Sequence, residues 1–145
     1  MPRSAQDVRL ALRMREGAVV LIFDRLVLDV VDLERAVRFY VGALDFSVVN
    51  NAPWHGHRTA LLQLGALHLL LLEQPNSGNA LNLPKAGPVL TLADTRIEER
   101  VHAVRASDGE LLSDLAPSPW GGRSFLLRDP DNYLIVIQEP ATNAR

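Results

Sequence analysis

Two stretches of this 145-residue chain repeat each other about 65 positions apart, and that repetition limits what it can fold into more than any other feature. Pro53-Trp54-His55-Gly56-His57-Arg58-Thr59-Ala60-Leu61-Leu62 is echoed by Pro119-Trp120-Gly121-Gly122-Arg123-Ser124-Phe125-Leu126-Leu127, one residue shorter at the turn. The interval from Arg58 to Pro75 equals that from Arg123 to Pro140, so Leu69–Pro75 reads ungapped over Leu134–Pro140. A supersecondary unit duplicated in tandem buries its apolar face against its copy. A chain of this length holds one domain, or two half-sized modules sharing a core, and not two independent domains.

The pattern along the chain agrees with duplication. Residues 19–30 are rich in Val, Leu and Ile and read as a strand. Asp32 is placed to cap a helix in which Leu33, Ala36, Val37 and Tyr40 recur at helical spacing. Strands are expected near 45–50, 58–64 and 66–73, divided by Asn50-Asn51-Ala52-Pro53 and by Gly65. After a Pro- and Gly-containing linker come a strand near 88–93, a helix from Thr95 to about Ser107 stopped by Asp108-Gly109, and strands near 110–114, 122–128 and 133–139. The expected organisation is an extension over 1–18, a βαβββ module over 19–75, a linker over 76–87, a second module over 88–140 and a tail over 141–145. The fold class is α+β: two modules forming a curved mixed sheet around a cleft, with the helices outside. Within the extension, Ser4 and Asp7 resemble a capping box ahead of Val8, Leu10, Leu12 and Met14, and a short helix or a frayed segment both fit.

Composition removes several function classes. The 15 basic and 17 acidic residues are mixed along the chain, giving a net charge of −2, without the concentrated basic face that displaces phosphate counterions. No nucleic-acid partner is expected. The absence of cysteine excludes disulfides, thiolate zinc sites and cysteine nucleophiles. The longest apolar run, Leu67–Leu72, contains His68 and is too short to span a bilayer, so no membrane partner is expected either. Without a continuous apolar stretch before Asp7 no signal peptide is expected, and a cytoplasmic location fits.

The chain resembles the vicinal oxygen chelate superfamily, which includes glyoxalase I, extradiol dioxygenases, and fosfomycin and bleomycin resistance proteins. One stretch carrying the resemblance is Phe23–Phe46, with Asp32-Leu33-Glu34-Arg35-Ala36-Val37-Arg38-Phe39-Tyr40 and then Ala43-Leu44-Asp45-Phe46 where relatives have Leu-Gly-Phe. The other is Pro119–Gln138, with Asp129-Pro130-Asp131-Asn132 where relatives have Asp-Pro-Asp-Gly-Asn. The fold hosts many chemistries, so the resemblance implies architecture more firmly than activity. It also implies a homodimer, the commonest assembly for such chains.

Metal-dependent members place His or Glu ligands on the concave sheet face. Motif by motif, those positions fall here on Arg25, on Val136, on its repeat mate Leu71, and on Pro88 or Gly87. A guanidinium has no lone pair and repels a cation, and hydrocarbon side chains cannot coordinate. Shifting the register by one meets Leu70, Leu72, Ile135 and Ile137 instead. No metal and no other cofactor is therefore expected. His55, His57, His68 and His102 supply no carboxylate partner in sequence and read as exposed or partly packed.

Strand alternation assigns Arg25, Asp29, Leu61, Leu71, Glu73, Leu126, Val136 and Gln138 to the concave face as candidate ligand contacts. An apolar face with a few convergent polar groups describes a small-molecule pocket. The same positions could fill a tight core, with Arg25 paired to Asp29 or Glu73. Trp54 and Trp120, at equivalent turns, are either aromatic walls for a planar ligand or plugs at the hairpin ends. No nucleophile–base pair is signalled. Glu73 and Asp29 qualify as general bases only by their face, so no catalytic residue is assigned. The expected function is metal-free binding of a small neutral or anionic organic molecule, to sequester or carry it. The alternatives are a metal-free isomerase or lyase, or a glyoxalase- or dioxygenase-type metal enzyme with displaced ligands.

Overall fold

The duplicated pattern folds as two sheets of mixed strands, each covered on one face by a helix. The computed structural model describes residues 21–74, 88–119 and 121–140. The expected N-terminal helix, the linker, Trp120 and the C-terminal tail lie outside them. In chain order the elements are β1 (Leu26–Val30), α1 (Leu33–Leu44), β2 (Ser47–Asn50), β3 (Thr59–Leu64), β4 (Leu67–Glu73), β5 (Leu90–Ala93), α2 (Ile97–Arg105), β6 (Glu110–Leu111), β7 (Ala116–Pro117), β8 (Arg123–Arg128) and β9 (Leu134–Gln138). The first sheet runs β1-β4-β3-β2 and the second β5-β9-β8-β6, with β7 also on β8. Strand β1 lies parallel to β4 and β5 parallel to β9; the other pairs are antiparallel. The strand expected over 110–114 is only two residues long, and a second short strand, β7, follows it.

Local chemistry explains the helices. The Asp32 carboxylate accepts from the Arg35 N–H and starts α1, whose buried stripe is Leu33, Ala36, Phe39, Tyr40, Ala43 and Leu44. Asp45 ends it in the left-handed region at φ 61°, and Phe46 N–H returns to the Tyr40 carbonyl at 3.0 Å. Helix α2 has no side-chain cap, but Glu98 and Glu99 occupy its first turn and His102 and Arg105 its last, which suits the helix dipole.

One core runs through both modules. It joins Val30, Leu62, Leu69, Leu71 and the α1 stripe to Ile97, Val104, Phe125, Leu127, Ile135 and Ile137. Phe39, Tyr40 and Phe46 pack edge to face, with ring centroids 5.1 and 5.4 Å apart.

The Asp129–Tyr133 turn of the second module closes the edge of the first. Tyr133 Oη accepts from Asp29 N and donates to Asp29 O, both at 3.0 Å, and Asp131 Oδ1 accepts from Val31 N at 2.8 Å. These contacts satisfy backbone groups on an edge strand that would otherwise pair with another chain. Tyr40 Oη donates to buried Asp129 Oδ2 at 2.6 Å, while Asp129 Oδ1 accepts from the Asp131 and Tyr133 N–H groups. Asn132 takes φ 73° in this turn, filling with an asparagine the left-handed position for which glycine is the usual choice.

Candidate functional site: the open face of the first module

Each helix occupies one face of its sheet and leaves the other available. In β1, Leu28 and Val30 point under α1, whereas Val27 is exposed and Asp29 half-buried on the opposite face. Cross-strand register carries that division through the sheet. Val27 lies beside Leu70, which lies beside Leu61; Leu28 lies beside Leu71, which lies beside Ala60. Leu70 and Leu61 thus share the open face with Val27, and Leu71 shares the core with Leu28.

A cavity of about 430 Å³ lies on that open face, within the size range of small-molecule sites. Val27, Leu61 and Leu70 line it with hydrocarbon, Pro53 and Trp54 come from the β2–β3 connection, and Arg25 and Asn50 supply polar groups. All of these residues belong to the first module. Trp54 is 52% exposed and meets His55 edge-on at 4.5 Å, so its ring is not a fully buried plug. Arg25 does not pair with Asp29 or Glu73. Its Nε donates to Asp24 Oδ2 at 2.9 Å. Asp29 Oδ1 instead accepts from Gln74 Nε2 at 2.7 Å.

Two candidate residues are misplaced by the sequence reading. Leu71 is fully buried in the core and cannot touch a ligand on the open face. Glu73 turns toward the start of α1, where Oε2 accepts from Leu33 N at 2.9 Å and Oε1 lies 3.5 Å from Arg58. The reason is one residue of turn length. Thr59 and Ser124 are equivalent at a spacing of 65, but Gln63 and His68 pair across four intervening residues, whereas Arg128 and Leu134 pair across five. The repeat therefore continues at a spacing of 66, and Leu70, not Leu71, matches Val136. A one-residue slip exchanges the faces of a strand. The corrected register also explains a repeated ion pair: Arg58 with Glu73, and Arg123 with Glu139.

In the second module Leu126 and Val136 do face away from α2, since their neighbours Phe125, Leu127, Ile135 and Ile137 are the buried ones. Gln138 shares that face and donates from Nε2 to Gly121 O and Glu139 O at 2.7 and 2.9 Å. Sequence reasoning missed Leu70, Asn50 and Pro53. The first was hidden by the register, and the other two belong to a strand end and connection whose direction no periodicity states.

The corrected positions still do not suit a divalent ion. Register equates Arg25 with Val89 and Val136 with Leu70, a set of one cation and three hydrocarbons. Histidines do not replace them: His57 Nδ1 lies 3.1 Å from Glu73 O, while His68, the cross-strand neighbour of Gln63, lies five residues before Glu73 along β4, about 16 Å by strand rise. The carboxylates of Asp32, Glu34 and Glu73 do approach within 4.8 Å of one another, outside the open face. Asp32 caps α1, Glu73 holds Leu33 N, and Glu34 is ion-paired with Arg58, so this cluster is accounted for by helix capping.

A larger cavity of about 580 Å³ lies between α1 and strands β2 and β3, lined by Leu33, Val37, Val48 and Ala60. Its two arginines are already ion-paired, Arg38 with Asp108 at 2.6 Å and Arg58 with Glu34 and Glu73. The smaller cavity differs in lying on the helix-free face of the sheet, where Arg25, paired with Asp24 through Nε, lines it.

Solved structures share this architecture. Hypothetical protein SA1046 from S. aureus superposes with a TM-score of 0.67 at 21% identity, covering 83% of this chain and 99% of that one. The fosfomycin resistance protein FosX from Listeria monocytogenes gives 0.66 at 17% identity, covering 85% and 96%. Virulence protein STM3117 from Salmonella typhimurium gives 0.57 at 25% identity, covering 84% and 98%. No curated protein sequence matches the chain. Residues 22–137 match the model of one family, and with the paired βαβββ modules this establishes that the chain belongs to the Glyoxalase/Bleomycin resistance protein/Dioxygenase superfamily.

Proposed function

We propose that this protein binds a small neutral or anionic organic molecule on the open face of its first module, without a metal ion, and sequesters or carries it. The observation that carries this reading is the 430 Å³ cavity with its hydrocarbon lining of Val27, Leu61 and Leu70 beside Trp54. Leu126, Val136 and Gln138 on the matching face of the second module extend the candidate surface. A homodimer in a cytoplasmic setting belongs to the same proposal, supported by the family's usual assembly. No helix among the described residues is long and apolar enough to cross a membrane. A metal-free isomerase or lyase reading is weakened, because Glu73 faces α1 and Asp29 is engaged by Gln74.

The test is titration with 2-naphthol, read by Trp54 fluorescence in a Trp120→Phe background. Saturable quenching is expected, lost in Leu70→Glu, which places a charge in the hydrocarbon lining. Quenching that persists unchanged in Leu70→Glu would move the site elsewhere.

A further inference from the structure

We infer that Arg25 makes this cavity selective for planar aromatic carboxylates, its guanidinium holding the anionic group that a metal ion would otherwise attract. This rests on the reading of the cavity as a ligand site and adds the ligand's charge and shape. Arg25 lines the cavity with its side chain 42% exposed. Of its five N–H donors, one is used: Nε donates to Asp24 Oδ2 at 2.9 Å. Among the described residues, the terminal Nη1 and Nη2 have no partner. That arrangement leaves the outer edge of the guanidinium, the edge that grips a carboxylate with two parallel hydrogen bonds, open to the cavity. Asp24 holds the group in place and offsets part of its charge, so selectivity comes from the fixed pair of donors more than from a long-range field. The next acid on this face, Asp29, is four residues along, about 13 Å by strand rise, and its Oδ1 is taken by Gln74.

The rest of the cavity specifies the other end of the ligand. Val27, Leu61 and Leu70 present no hydrogen-bonding side chain, and the half-exposed indole of Trp54 offers a flat surface. An aromatic ring stacks there at little entropic cost, since both partners are rigid. Thr59 adds no free donor, because its hydroxyl is spent on the Ala52 carbonyl.

Three isosteres decide the matter: 2-naphthoate, 2-naphthamide and 2-naphthylmethylamine, each titrated into the Trp120→Phe protein at low and at moderate salt. Naphthoate is expected to bind about tenfold more tightly than the amide, in line with a charge-assisted bidentate bond, and the amine weakest. Arg25→Gln should weaken naphthoate binding much more than amide binding and so remove the naphthoate advantage, and Arg25→Lys should restore only part of it. The unfolding midpoint of each variant confirms that the fold is retained. Equal binding of all three probes, or tighter binding of the amine, overturns the role of Arg25 while the cavity reading survives. Saturable binding by none of them overturns both.

Discussion

Replacing Asp129 with asparagine should make the protein more resistant to unfolding at pH 8 than at pH 4, relative to its parent. Asp129 is 2% exposed, and burial is the main reason its carboxyl is pushed up to about 6 from the ordinary 3.8; the Tyr40 hydroxyl and the Tyr133 and Asp131 N–H groups work against that rise, and nearby Asp131 adds to it. A folded-state value above the unfolded one means the native state holds the proton more tightly. That preference stabilises the fold below pH 4 and is lost as pH rises through 6. The difference amounts to about 3 kcal/mol across the window. In Asp129→Asn the side-chain oxygen can still accept from Asp131 N and Tyr133 N, and the Tyr40 hydroxyl can turn to accept from the new amide. Whatever fixed penalty the exchange carries, its change with pH reports chiefly the ionisation of Asp129, with a smaller contribution from its coupling to Asp131. Urea unfolding at pH 4 and pH 8 should therefore show the variant gaining up to about 3 kcal/mol on its parent between the two. A difference between the two proteins that is the same at both pH values, or that moves in the parent's favour, would refute the assignment of a buried, ionising Asp129.

Two further substitutions test the closure of β1 and the face of β4. Tyr133→Phe removes the hydroxyl that bonds Asp29 N–H and C=O and should cost about 1–3 kcal/mol in urea unfolding. Leu71→Ala should cost about 2–5 kcal/mol by opening a hole in the core, whereas Leu70→Ala should cost much less and weaken naphthol binding. The reverse ranking would show that the strand's faces are assigned the wrong way round.

The helix at Asp32 and the strands through Leu62, Leu69 and Ile137 could be read from the chain because their determinants are local: a cap, a 3.6-residue stripe, an alternation. The repeated Pro-Trp and Arg-Ser/Thr segments disclosed duplication, and duplication with the Asp-Pro-Asp-Asn turn implied the fold. The unsuitability of Arg25 and Val136 for a cation was equally plain, since it is a property of the side chains themselves. The pairing of Arg25 with Asp24, of Glu73 with Leu33 N, and of Tyr133 with Asp29 could not be read in the same way. Each of those depends on where an element lies in space.

The face of β4 shows the limit most clearly. Leu67–Leu72 is leucine at every position but one, so no alternation distinguishes its two sides. Only its register with β1 and β3 decides that Leu70 meets the cavity and Leu71 the core. Sequence alone determined that two similar modules must bury a shared apolar face. Tertiary structure decided which side chains converge on the open face, because a hairpin longer by one residue reverses every orientation that follows it.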